Sequence, residues 1–178
     1  MKRLVLGALC ASLLFAHPAS ARDHKTIHLG SVPREPAYWT HRYGAAERTF
    51  AITTQSDGVT LLLTPDDLAL QLSDFKMHRF DREARRERAK EDDSPIGDAI
   101  KSVVLDAVGR FLDHSVTCPI RDVRDVVYQN GALRVITSRG DDLFAGIEVD
   151  DEGVAEGFAS RDAQEFVRQF HRLKRGAP

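Results

Sequence analysis

From residue 50 onward, apolar positions first alternate with polar ones, then recur at three- and four-residue steps, and then run through both patterns again. The first alternating stretch predicts a hairpin over 49–64. Phe50 and Ile52 alternate with Ala51 and Thr53, Ser56-Asp57-Gly58 supplies a turn, and Val59-Thr60-Leu61-Leu62-Leu63 returns. Thr64-Pro65-Asp66-Asp67 breaks the run, and Leu68, Leu70 and Leu72 mark a third strand of a meander. A fourth strand is a candidate around Phe75 to Phe80. Ser94-Pro95 then opens a predicted helix to about His114. Its apolar face is built from Ile96, Ile100, Val103, Val104, Ala107, Val108, Phe111 and Leu112.

The second alternating stretch begins at Val126-Val127-Tyr128. Asn130-Gly131 follows, the pair that best fits a type I′ hairpin turn, and then Leu133 to Thr137. Leu143 to Val149 predicts a further strand, Asp151-Glu152-Gly153 a turn, and Val154 to Phe158 a short closing strand. The chain ends in an amphipathic helix with its stripe on Ala163, Phe166, Val167, Phe170 and Leu173. Asp162 with Glu165 has capping-box spacing, Ser160 is the alternative cap, and Lys174, Arg175 and Gly176 suit the C-terminal end.

Two segments do not fit this rhythm. Residues 22–48 read as an irregular lead-in, interrupted by Pro33 and Pro36, whose Tyr38, Trp39 and Tyr43 pack onto the core; an aromatic ligand shelf centred on Trp39 is the sharper alternative. Residues 81–93 are almost wholly charged and lack an apolar stripe. They predict a loop or a solvated helical arm inside a single α+β domain spanning 49–175.

The N-terminal segment, 1–21, changes the compartment. Lys2 and Arg3 precede the uncharged run Leu4 to Ala16, and Pro18-Ala19-Ser20-Ala21 presents small residues where a signal peptidase cuts. That run is well short of the roughly 20 apolar residues needed to span a bilayer. The expectation is an exported, periplasmic or secreted protein that begins with a signal peptide and has no stable membrane insertion after cleavage at Ala21. Removing 1–21 from the 178 residues leaves 157, enough for one domain with a core that needs no disulfide. Cys118 is then the one remaining cysteine, a free thiol that is either buried or reactive in an oxidising compartment. The balance becomes 23 basic against 27 acidic residues, which gives no global bias toward nucleic acid or anionic membranes. Arginines greatly outnumber lysines, 19 to 6, which fits a bacterial, GC-rich source.

The stretch Val126 to Leu173 resembles the end of a pleckstrin-homology-like domain. Three hairpin-linked strands run into Phe158-Ala159-Ser160-Arg161-Asp162-Ala163-Gln164-Glu165-Phe166-Val167. The resemblance implies an antiparallel meander or partly open barrel closed by a C-terminal amphipathic helix, with the 95–114 helix inserted between the sheets. It implies binding more than catalysis. The family's basic loop between the first two strands has no counterpart in Gln55-Ser56-Asp57-Gly58, so no lipid site is carried over. A plain α+β sheet with two packed helices is the alternative architecture.

Candidate chemistry is sparse. After cleavage, Arg22-Asp23-His24 would offer a terminal amine, two backbone amides and the His24 imidazole to Cu(II) or Ni(II) in a square plane. Arg79, Arg82, Arg85 and Arg86 are candidates for docking on carboxylates or lipid headgroups, with Glu83, Glu87, Glu91, Asp92 and Asp93 interleaved among them. No zinc motif, calcium loop, nucleophile elbow or cofactor motif is present. The leading expectation is a non-catalytic binding or accessory protein whose partner is another periplasmic protein or a small ligand. The alternative is a periplasmic inhibitor or immunity protein of a toxic hydrolase. A small hydrolase and a Cu/Ni-binding protein are the further classes.

Overall fold

A computed structural model describes residues 27–28, 35–88, 111–149 and 152–176. The leader, His24 and all but the last three residues of the Pro95–Asp113 stretch lie outside these; residues 111–113 are helical. The architecture is α+β: a five-stranded antiparallel sheet, two smaller sheets and a C-terminal helix, in an open, PH-like arrangement. Among the described residues the sheets do not close into a barrel.

The large sheet contains β2 (Tyr38–His41), β3 (Phe50–Thr53), β4 (Val59–Leu63), β5 (Asp67–Leu72) and β6 (His114–Pro119) in the order β2-β6-β5-β4-β3. The β3-β4-β5 meander is the one the alternation predicts. Thr54 Oγ1 accepts from the Gly58 and Val59 amides at 3.1 and 3.2 Å, closing the first turn, where Asp57 takes φ 54°. β2 falls inside the segment read as irregular. It pairs with β6, Tyr38 opposite Thr117 and His41 opposite His114, a contact between strands far apart in the chain that no local pattern announces.

Both faces of this sheet are covered. Val59, Leu61, Leu63, Leu68, Leu70, Leu72, Val116 and Cys118 enter the main core. The opposite face buries Leu62, Ala69 and Tyr43, with Thr60, Gln71, Ser115 and Thr117 as buried polar neighbours. Cys118 lies on β6 with its side chain in the main core.

The second small sheet is the hairpin β7 (Val123–Gln129) and β8 (Ala132–Thr137). Asn130 and Gly131, at φ 53° and 82°, form the expected two-residue turn. Beyond it the predicted strands shrink. Leu143, Phe144 and Ile147 are buried at the spacing of a turn rather than a period of two. Only β9 (Glu148–Val149) is extended, between β1 (Ile27–His28) and β10 (Glu152–Gly153). Val154 and Phe158 are likewise buried four residues apart, so β10 sits where a turn was expected.

Phe75 to Phe80 is helical, not a fourth strand. Ser73 caps α1 (Asp74–Arg88), accepting from the Lys76 amide at 3.1 Å, and the helix runs on through residues 81–88 of the charged arm. Arg42 donates to Asp74 Oδ1 at 3.1 Å and to the Leu72 carbonyl at 2.8 Å, pinning its start.

The C-terminal helix, α2 (Ser160–Gly176), begins at Ser160. Glu165 is engaged by Arg168 and Gln169 instead of reaching back as a capping box. Ala163, Phe166 and Phe170 are buried, and Phe166 meets the Phe50 ring at 6.1 Å. Tyr128 Oη and Ser160 Oγ are 2.7 Å apart, and Lys174 Nζ donates to the Arg124 carbonyl at 2.8 Å. The helix thus ties the β3 edge of the large sheet to the β7-β8 hairpin.

Candidate functional site

The best-built surface feature lies where the β4–β5 turn meets the end of β6 and the last turn of α2. Thr64-Pro65-Asp66-Asp67 is held by its own threonine: the Asp67 amide donates to Thr64 Oγ1 at 2.9 Å and the Thr64 amide to the Asp67 carbonyl at 2.8 Å. Proline at the second position presets the turn. The Ile120 amide donates to the Asp66 carbonyl at 2.8 Å, stitching this turn to the short 3-10 segment Ile120–Asp122.

Two open grooves share Pro65 and Asp66 as a common rim. One, of about 470 Å³, runs along α2 past Gln169, Arg172 and Leu173. The other, of about 490 Å³, lies between Tyr38, Asp67, Pro119 and Arg121. Lys174 also borders it, with its ammonium committed to the Val123 and Arg124 carbonyls. Both grooves have the volume of small-ligand sites.

The second groove has the more definite chemistry. Tyr38 is 45% exposed, an unusual placement for a large aromatic side chain here. Tyr43, buried behind it, donates from its phenol to Asp67 Oδ2 at 3.2 Å. Tyr43 is itself clamped. Its amide donates to Gln71 Oε1 at 3.0 Å, its carbonyl accepts from Gln71 Nε2 at 3.3 Å and from Arg48 Nη2 at 2.9 Å, and Ser115 donates to the same Gln71 oxygen at 2.8 Å.

Burial, with Asp67 nearby, pushes the Tyr43 phenol up to about 12. Thr117 Oγ1, buried without a hydrogen-bond partner of good geometry, lies close enough to offset part of that rise. Tyr38 is raised for the same two reasons, burial first. Both phenols stay protonated at neutral pH. Tyr43 therefore acts as a donor that fixes Asp67, not as a proton acceptor.

The residues singled out from sequence scatter. Trp39 is half-buried and meets Phe111 edge-on at 6.0 Å, its ring turned to the core. Cys118 is buried, and desolvation pushes its thiol up to about 12, away from the reactive thiolate. Arg79, Arg82, Arg85 and Arg86 all lie on α1. His24 lies outside the described residues. His41 pairs with Glu47 at 3.2 Å and His171 with Asp125 at 2.8 Å, on different elements. Among the described residues no group of three or more His, Cys, Asp or Glu converges as metal ligands. Among them too, no helix is long and apolar enough to cross a membrane.

Sequence reasoning marks Tyr38 and Tyr43 as aromatics and Asp66-Asp67 as a strand breaker, but misses their meeting. The Thr-Pro-Asp-Asp turn is the available signal, since it places Asp67 at the mouth of β5. No known protein family, curated protein or solved structure matches the chain.

Proposed function

We propose that this chain is an exported, non-catalytic binding protein that holds a cationic side chain of a partner polypeptide in the groove between Tyr38 and Asp67. The observation that carries the reading is the Tyr43–Asp67 hydrogen bond beneath an exposed tyrosine. It fixes one carboxylate oxygen and leaves the other available to accept from a guanidinium or ammonium group. Tyr38 offers a ring face to the same cation, and Pro65 and Pro119 supply apolar walls. Preorganisation of this kind favours binding, because little side-chain freedom remains to be lost.

Calorimetric titration with three acetylated, amidated alanine-rich peptides, carrying a central Arg, Gln or Glu, tests this. The Arg peptide binds and the Gln and Glu peptides do not. Asp67→Asn weakens the Arg peptide about tenfold or more and Tyr38→Ala about two- to fivefold, the sizes expected for a charge-assisted hydrogen bond and for a cation–π contact at an exposed ring. Equal affinity for the Arg and Gln peptides, or an Asp67→Asn variant that binds as well as the parent, removes the reading.

A further inference from the structure

The groove along α2 differs from its neighbour in what it offers a ligand. Leu63, Pro65 and Leu173 wall it, and Leu173 is half-buried against the core. The polar groups on its border bond to one another instead of into it. Arg172 Nη1 donates to Gln169 Oε1 at 3.2 Å, and Gln169 Nε2 donates to Glu165 Oε1 at 2.6 Å. The Thr49 amide is engaged by the Leu63 carbonyl at 2.7 Å, and Gly176 adds no side chain. What stays open is mostly hydrocarbon, in a volume of about 470 Å³ that takes a leucine or a larger apolar side chain.

We propose that the partner segment whose cation lies at Asp67 seats a large apolar side chain in this second groove, two or three residues away along its chain. The inference rests on the proposed use of the Tyr38–Asp67 groove. Both grooves are lined by Pro65 and Asp66, so a chain leaving one enters the other by crossing a single turn. The Ile120 amide on the Asp66 carbonyl fixes that turn, and with it the spacing of the two grooves. Two residues of a strand advance about 7 Å and three of a polyproline helix about 9 Å, and each stride returns a side chain to the same side. The energetics also call for such an anchor. An exposed ion pair contributes little by itself, and protein interfaces place an apolar contact beside their charged rim. Asp66 is exposed on the crossing, so the residue carried over it is not acidic.

The test titrates the whole protein, by calorimetry, with the acetylated, amidated Arg peptide carrying leucine in turn at each position from three before to three after the arginine. Leucine at a two- or three-residue step, on one side of the arginine only, tightens binding about tenfold. That is the lower end of what burying a leucine gives, because the groove is open. Leucine next to the arginine changes affinity less than twofold. Thr49 is exposed on the groove wall, and Thr49→Gln puts a polar chain into the groove. This variant loses the leucine gain and binds the leucine-free Arg peptide as the parent does. Loss of the preference for Arg over Gln removes the groove reading and this inference with it. A retained preference with no leucine gain at any position, or with an equal gain at all six, overturns this inference alone. So does a leucine gain that survives Thr49→Gln. A gain seen only after Ala177 and Pro178 are deleted would make the chain's own end the occupant, and a sedimenting dimer that Thr49→Gln dissociates would make it a second copy; either result overturns the proposal.

Discussion

Replacing Gln71 with leucine cuts the clamp that holds the groove's central tyrosine. Gln71 is 1% exposed, and its amide serves the Tyr43 backbone in both directions as well as Ser115. Leucine has similar bulk and no polar atom. The Tyr43 carbonyl keeps its Arg48 donor, but the Tyr43 amide and the Ser115 hydroxyl both lose their acceptor. A buried donor left unpaired costs about 1–3 kcal/mol. Two of them cost about 2–6 kcal/mol, offset in part because leucine removes an amide that had to be desolvated. A loss of about 3 kcal/mol is expected. In urea, with a slope of about 1–3 kcal/mol per molar, the unfolding midpoint falls by at least about 1 M while the slope stays constant. Adding Ser115→Ala removes one of the stranded donors. The double variant should therefore recover about 1–2 kcal/mol relative to the single one, a non-additivity that distinguishes a shared network from loose packing. A Gln71→Leu protein whose stability stays within about 0.5 kcal/mol of the parent, the range of ordinary surface substitutions, would refute the reasoning. So would simple additivity with Ser115→Ala. The same variant should also weaken the Arg peptide, since Tyr43 would no longer hold Asp67 in place.

Two further outcomes follow from the packing and the titrating groups. Phe166→Ala empties a fully buried site where α2 meets Phe50, a change of about 3–5 kcal/mol, and lowers the melting temperature by roughly 6–20 °C; a calorimetric shift under about 3 °C would mean that α2 is not fastened there. Tyr43 and Cys118 are held protonated in the native chain, with ordinary values of 10.0 and 9.0 raised to about 12. Their contribution is complete below about pH 9 and is lost as pH climbs through about 12, so urea midpoints fall over that window. Tyr43→Phe and Cys118→Ala each flatten the fall, and a stability that rises with pH there would contradict both assignments.

What the sequence discloses depends on the range of the interaction that decides each element. The β3-β4-β5 meander, the Asn130-Gly131 hairpin and α2 are governed by turn chemistry and periodicity between near neighbours, and all three stand in the structure. The first turns of α1 escape a sequence reading because Phe75 to Phe80 lacks a clear helical stripe, while residues 81–88 are helical, one of the two readings of the charged arm. Its start is decided by Ser73, whose side chain both caps the helix and donates to the Asp57 carbonyl across the sheet. β2 is invisible because a four-residue edge strand takes its register from β6. The groove is hidden for the same reason, since Tyr38 and Asp67 meet only after β2, β6 and β5 have paired.

Asp67 opens β5, and α1 follows two residues after Leu72. Six extended residues span about 20 Å. At physiological salt the screening length is about 8 Å, so a charge removed at one end is hardly felt at the other. Leu68, Ala69, Leu70 and Leu72 are fully buried, and the strand is hydrogen-bonded on both sides to β4 and β6. A charge change on α1 should therefore leave the groove undisturbed, and Arg82→Gln should leave Arg-peptide affinity within twofold. An Arg82→Gln variant that abolishes peptide binding while far-ultraviolet circular dichroism keeps the parent's strand signal would refute this separation, because the loss could not then be laid to an unfolded β5.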